Sequence, residues 1–366
     1  MKCKIFSTLI NELDLPLKVA LVGYFGHDNL GDEAILLSVL QQLKRYNRVK
    51  QITVFSANPQ ETKKKYSVLS LNRKSFPDII AGISMSDYII FAGGTLIQDK
   101  TSFASLLYYL GIILLSRTYG KKVILYSQGI EPLKYPISRW IVAYVLHFVH
   151  YISVRDEESI KYLQKTLKLQ KRVNFTVDSA LMLAPYLKNN LYKGLIGLNF
   201  MGFTDFPIVD VAQQLEKFAQ VKNIKYLYLS LHPEDERIGK ELQLILGDDK
   251  VVILEKIENI AEFLGVIAQL DMLVGARLHS LILSASVHVP FLGIHYHDKV
   301  ESFSKEVKQK YISFNNLQKG MFYSNLEDVY EGRNLFQNQL KYLVENLKEK
   351  SKDNLINNIL VKYEKF

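Results

Sequence analysis

DMLVGARLHSLILSASVHVPFLGIHYHDKV, residues 271–300, decides how the rest of the chain is read. An apolar run, Met272–Val274, stops at Gly275, and apolar residues at helical spacing begin at Arg277. That pattern predicts a strand, a tight glycine turn and a helix. Arg277 and His279 fall in the first turn of that helix, where unpaired N–H groups and the positive end of the helix dipole meet. A second strand is expected at Pro290–His295, followed by His297, Asp298 and Lys299. If the two strands are parallel neighbours, His295 and Lys299 leave the sheet near Arg277 and His279. Open α/β sheets bind ligands at that edge. Guanidinium and imidazole there make a cradle for an anion that needs proton chemistry. The same two residues also read as a locally paired arginine and a helix histidine.

Outward from this stretch, strand-like and helix-like runs alternate. Lys18–Gly23, Gln51–Ser56, Asp87–Ala92, Lys122–Ser127, Tyr151–Val154 and Val173–Val177 read as strands. Leu30–Arg45, Ser102–Tyr119, Pro136–Val149 and Asp156–Leu167 read as helices between them. The pattern lapses at Pro185–Lys193 and restarts at Leu195, continuing through Lys225–Leu231 and Val251–Leu254. Alternating βα units predict parallel, doubly wound sheets. The fold class is therefore α/β. Two Rossmann-like domains, 1–186 and 194–332, with a cleft between them in a GT-B-type arrangement, precede a lysine-rich helical tail, 333–366. A chain of 366 residues is long for a single core, which agrees with two domains.

The balance of 46 Lys+Arg against 37 Asp+Glu gives a net charge of +9, which favours anionic partners. No nucleic-acid-binding signature sharpens it, so no nucleic-acid partner is expected. Cys3 is the only cysteine, which suits a reducing cytoplasm. The first 18 residues carry Glu12 and Asp14 and lack the apolar core of a secretory signal. The longest apolar runs fall short of the roughly 20 residues that span a bilayer. A cytoplasmic protein, soluble or peripheral at the inner membrane face, is expected. Ser138–Tyr151 carries Trp140, Tyr144, Phe148 and Tyr151; it reads as core packing, with a membrane-facing helix as the alternative.

Three loops follow strands at the sheet edge. In Gly23–Glu33, GYFGHDNLGDE, Gly23, Gly26 and Gly31 let backbone approach a ligand. Asp32 and Glu33 either complement a helix dipole or hold a sugar hydroxyl and act as general base, and Asn29 either caps the helix or touches ligand. In Ala92–Ser102, AGGTLIQDKTS, Gly93 and Gly94 make a tight turn, and Gln98 and Asp99 offer amide and carboxylate to a saccharide. Asp99 is a candidate acceptor for a hydroxyl proton. In the third, Gln128 ends one strand and Arg155 the next; Arg155 either faces the cleft or pairs with Asp156 or Asp178. HExxH and CxxC are absent, so no metal site is indicated. Nor is there a P-loop, a GxSxG elbow or a dinucleotide fingerprint. His232-Pro233-Glu234-Asp235 reads as a strand end and helix start.

Taken together, GYFGHDNLGDEAIL (23–36), AGGTLIQDKTSFASLLYY (92–109), KKVILYSQGIEPL (121–133), ISVRD (152–156), VDSALML (177–183) and the stretch 273–303 resemble the polysaccharide pyruvyl transferase family, of the CsaB type. The resemblance implies a GT-B-like fold and phosphoenolpyruvate as co-substrate, with no other cofactor. It implies a pyruvate ketal on a cell-wall or exopolysaccharide sugar as product. The family's Arg-Leu-His motif falls on Arg277, Leu278 and His279, and its lysine after the last strand on Lys299. Arg277 and Lys299 are then expected to hold phosphate and carboxylate. His279 would be the acid or phosphate partner, since an imidazole ordinarily titrates near neutral pH. Gly197–Gly202, GLNFMG, departs from the Ser-Val-Arg-like segment of the family. A lipid-linked acceptor would suit the basic surface, and self-association is left open. Two other readings share the fold: a GT-B glycosyltransferase with a nucleotide-sugar donor, and a non-catalytic polymer- or membrane-binding protein.

Overall fold

A computed structural model describes residues 16–351 apart from 188, 189, 203, 204, 256, 258 and 297, and without the side chain of Lys319. Cys3, Glu12, Asp14, His297 and the tail beyond 351 lie outside the described residues. The chain divides into two compact units. Among the described residues, 16–27, 35–179 and 350–351 form the first; 28–34 and 180–349 form the second.

The first unit alternates β1 (Leu17–Phe25), α1 (Leu30–Lys44), β2 (Val49–Ser56), α2 (Pro59–Tyr66), β3 (Leu69–Asn72), α3 (Phe76–Ser84) and β4 (Tyr88–Ala92). It continues with α4 (Phe103–Thr118), β5 (Lys122–Gln128), α5 (Pro136–Leu146), β6 (Tyr151–Val154), α6 (Glu157–Lys161) and β7 (Val173–Phe175). All seven strands are parallel, in the order β3-β2-β1-β4-β5-β6-β7. Successive strand residues point to opposite faces. Val19 and Leu21 therefore enter the core under α1, whereas Ala20 and Val22 enter the core under α3 to α5. Coverage on both faces explains why β4 is an unbroken apolar run, buried throughout.

The second unit holds β8 (Ile196–Asn199), α7 (Ile208–Lys222), β9 (Tyr226–Tyr228), α8 (Glu236–Leu246), β10 (Val251–Ile253), α9 (Ile260–Ile267) and β11 (Met272–Gly275). After these come α10 (Leu278–Ser286), β12 (Phe291–His295), α11 (Asp298–Glu306), β13 (Lys310–Ser313), α12 (Met321–Glu331) and α13 (Arg333–Ser351). Its parallel order is β10-β9-β8-β11-β12-β13. In each unit the strand order reverses direction beside the first strand, between β1 and β4 and between β8 and β11. Such switch points open a crevice at the strands' C-terminal ends.

Two expectations need correction. The break falls after Ser179, not at 186–194, because the following segment packs on α9: the Tyr186 N–H donates to the Ala261 carbonyl at 2.8 Å. Nor does α5 send its aromatics inward. Val142, Val145 and Leu146 form its core face, and Trp140, Tyr144 and Phe148 point outward. The helix starting at Arg333 packs along the second unit, as a tail lying against the domains does. Leu340 and Val344 are buried, Glu345 meets His288 at 3.1 Å, and Lys348 donates to the Ser286 carbonyl.

Candidate functional site

In the first unit, polar residues at the sheet edge mostly hold the loops in shape. Gly93 and Gly94 have φ of +62° and +71°, values open to glycine. Beneath them, β5 bulges at Ser127, φ +56°, where its register against β6 shifts. The bulge turns Gln128 inward, and its Nε2 donates to the carbonyls of Gly93 at 2.7 Å and Phe91 at 3.0 Å. Gly26 closes against Ser56 and Asn58, leaving no room for a Cβ. Gln98 Oε1 accepts the N–H groups of Lys100 and Thr101, folding its own loop. Arg155 is buried and ion-paired with Asp178, the pairing left open by the sequence, and reaches Thr95 Oγ1 at 3.5 Å.

Asp99 departs furthest from its expected role. It is buried; Oδ1 accepts the Lys134 N–H at 2.8 Å and Oδ2 the Tyr135 N–H at 3.1 Å. These residues lead into α5, which has no side-chain cap of its own. Burial pushes the Asp99 carboxyl up. The two amides and the nearby Ser138 hydroxyl, short of a well-formed hydrogen bond, outweigh that and leave it below its ordinary value. A carboxylate so engaged is a weak base and a good brace.

The second unit gathers the other candidates. β11 and β12 are parallel neighbours with Gly275 opposite Gly293, so Arg277 and His295, each two residues further on, leave at the same edge. Arg277 is the N-cap residue of α10, and His279 lies in its first turn. The guanidinium makes a fork on Asp235: Nε lies 2.9 and 2.7 Å from the two carboxylate oxygens, and Nη2 donates to Oδ1 at 2.7 Å. Asp235 is fully buried and also accepts from Asn199 Nδ2, at the end of β8, and from the Leu231 and His232 amides. The switch point between β8 and β11 is thus bound into one network. From sequence Asp235 reads only as part of a helix start, and Asn199 is not singled out. The available signal was local: His232 caps a short helical turn whose third residue, Asp235, returns the hydrogen bond.

Residues 28–34 belong to this unit and carry the end of the first glycine loop. The Leu30 N–H donates to the Leu231 carbonyl at 3.1 Å. Asn29 caps α1 by accepting the Gly31 N–H at 3.0 Å, and its Nδ2 donates to Asp32 at 2.6 Å. Glu33 is buried in the same turn. Gly31 faces the His279 ring so closely that a Cβ would stand 2.3 Å from Nδ1. The NLGDE, HPED and RLH segments, far apart in sequence, therefore meet around α10. His295 is drawn the other way, 4.0 Å from Glu301, whose carboxyl Lys305 and Tyr311 hold below its usual range. Lys299 lies in the first turn of α11.

The sequence profile of the polysaccharide pyruvyl transferase family matches residues 29–298, from the Asn29 cap to the start of α11. The chain belongs to this family. No curated protein sequence matches it significantly. Solved structures share the GT-B fold of this pyruvyl transferase family member at low identity. MnaA of S. aureus, determined with UDP, has 13% identity and a TM-score of 0.62, over 93% of this chain and 98% of its own. The UDP-GlcNAc 2-epimerase of Neisseria meningitidis has 14% identity and 0.58, over 90% and 100%. A glycosyltransferase from Rickettsia africae has 12% identity and 0.59, over 96% and 98%. No helix among the described residues is long and apolar enough to cross a membrane.

Proposed function

We propose that the chain transfers the enolpyruvyl group of phosphoenolpyruvate to a sugar of a cell-wall or exopolysaccharide, forming a pyruvate ketal and releasing phosphate. The observation that carries this reading is the start of α10, where an oriented arginine and a histidine meet the first glycine loop. Phosphoenolpyruvate presents a phosphate and a carboxylate. Two N–H groups of Arg277 are committed to Asp235. This fixes the plane of the guanidinium, so its outer edge can accept a planar anion without first being ordered. Lys299 supplies a second cation from α11.

In the proposed reaction His279 delivers a proton to the enol methylene, which becomes the methyl group. C2 gains oxocarbenium character, a sugar hydroxyl attacks it, and the C2–O bond to phosphate breaks. A neighbouring hydroxyl closes the ketal. Each hydroxyl loses its proton: Asp32 is the carboxylate we assign to accept one, and the other returns to His279, which gave its proton to the methylene. We do not assign that role to Asp99, whose two oxygens already accept backbone N–H groups.

Ligand-induced stabilisation tests the donor. Phosphoenolpyruvate should raise the melting temperature and UDP-N-acetylglucosamine should not. The opposite pattern would move the chain to nucleotide-sugar transfer.

A further inference from the structure

The outward faces of α4 and α5 form a surface that the transfer chemistry does not use. Ile137, Trp140 and Tyr144 of α5 and Phe148 in the turn just after it follow one another at helical spacing and are exposed, with Trp140 at 68%. Trp140 stacks on Tyr144, and Tyr144 meets Phe148 edge-on, so the aromatics make one continuous ridge. The neighbouring α4 packs beside it and exposes Phe103, Leu107 and Leu114. Phe103 reaches across to Tyr135 at 6.4 Å between ring centres. Exposed apolar surface of this continuity marks an interaction site.

The charges around the ridge indicate its partner. Among the residues of α4, α5 and the loop that leads from β5 into α5, Glu131 is the one acidic residue, against Arg117, Lys134 and Arg139. Glu131 is itself neutralised by Lys100 at 2.7 Å. Lys134 lies over the Tyr135 ring and Lys171 donates to the carbonyls of His147 and Val149, so cations border the aromatics. Tryptophan and tyrosine favour the zone where acyl chains meet headgroups, and bordering lysine and arginine favour anionic lipid. A second copy of this chain would set the same positive borders against each other.

We propose that the α4–α5 face docks the first unit on an anionic lipid bilayer, with the aromatic ridge of α5 in the headgroup zone. This stands on observations independent of the donor and the transfer reaction. It places a cytoplasmic enzyme where a lipid-linked acceptor would be presented.

Trp140 is the only tryptophan, so its emission reports on this face directly. The full chain is titrated with phosphatidylcholine vesicles and with vesicles containing phosphatidylglycerol. The expected result is a blue shift and quenching by brominated lipid on the anionic vesicles, with co-sedimentation weakened by salt. Leu107→Asp and Arg139→Glu, both at exposed positions, should each lower partitioning roughly tenfold with an unchanged circular dichroism spectrum. Unchanged Trp140 emission on both vesicle types would overturn the proposal. So would a shift that follows protein concentration without lipid and accompanies a dimer in light scattering.

Discussion

Arg277 and Asp235, 42 residues apart, are locked together by a two-pronged ion pair at 2.7–2.9 Å that joins the start of α10 to the turn before α8. Because Asp235 is fully buried, it cannot be left without its partner cheaply. Removing one member of such a pair costs about 3–5 kcal/mol. Asp235→Ala should therefore lower the melting temperature strongly. Arg277→Lys keeps the charge but loses the fork. It should weaken phosphoenolpyruvate binding by roughly tenfold or more while destabilising the chain less than Asp235→Ala does. Thermal unfolding and ligand titration on the two variants separate the effects.

Gly31→Ala tests the contact between the first glycine loop and the histidine. Its new Cβ would overlap the His279 ring at 2.3 Å, so the ring must move. Activity should fall by roughly tenfold to a hundredfold, the scale of a catalytic group misplaced by about 1 Å. Gly111→Ala is the control: it lies within α4, nothing stands near its Cβ, and it should be neutral or stabilising by about 0.5–1 kcal/mol.

Asp99 should behave as a brace. Asp99→Ala leaves the amides of Lys134 and Tyr135 without their acceptor and should destabilise by about 1–3 kcal/mol. The activity of the remaining folded protein, corrected by active-site titration, should be retained. A loss of kcat at unchanged stability would return Asp99 to the chemistry. Its folded carboxyl titrates below the ordinary value of 3.8, so its stabilisation is present above that value and is lost as pH falls through the lower folded value.

His150 gives a second acid sensitivity. Burial, then Arg117, Lys171 and Lys122, push its imidazole down from 6.5 to about 4, and its Nδ1 accepts the Val123 N–H. The unfolded chain binds a proton below 6.5 that the folded chain takes up only near 4. Stability should thus be highest above 6.5 and decline as pH falls towards 4. His150→Gln should flatten that decline in a series of melts across the range.

The alternation of strands and helices was legible because parallel strands buried on both faces are apolar runs, as in β4 and β11. What escaped were elements without that signature. β3 is a four-residue edge strand with no buried residue, and the α2 helix before it is mostly Lys, Glu and Gln. The pattern of α5 was visible, but its orientation was not: aromatic residues at helical spacing look alike whether they face a core or solvent. In the candidate site, the glycine turn before Arg277 and the placement of His279 followed from local sequence. Asp235 did not, since a partner 42 residues away leaves no mark on the arginine's own segment. Gln128 and Asp99 read as ligand groups, and Arg155 stays open between ligand and ion pair, because a side chain that supports a loop and one that touches a ligand are of the same residue types. The difference lies in which hydrogen bonds are already made.

The central claim is enolpyruvyl transfer at the start of α10. The most direct measurement is phosphate release from phosphoenolpyruvate with a panel of cell-wall saccharides, lipid-linked ones included, for the native chain and His279→Ala. The account predicts release that depends on the acceptor, yields a ketal-bound pyruvate and is lost in the folded variant. No release with any acceptor, or a fully active His279→Ala chain, would contradict it.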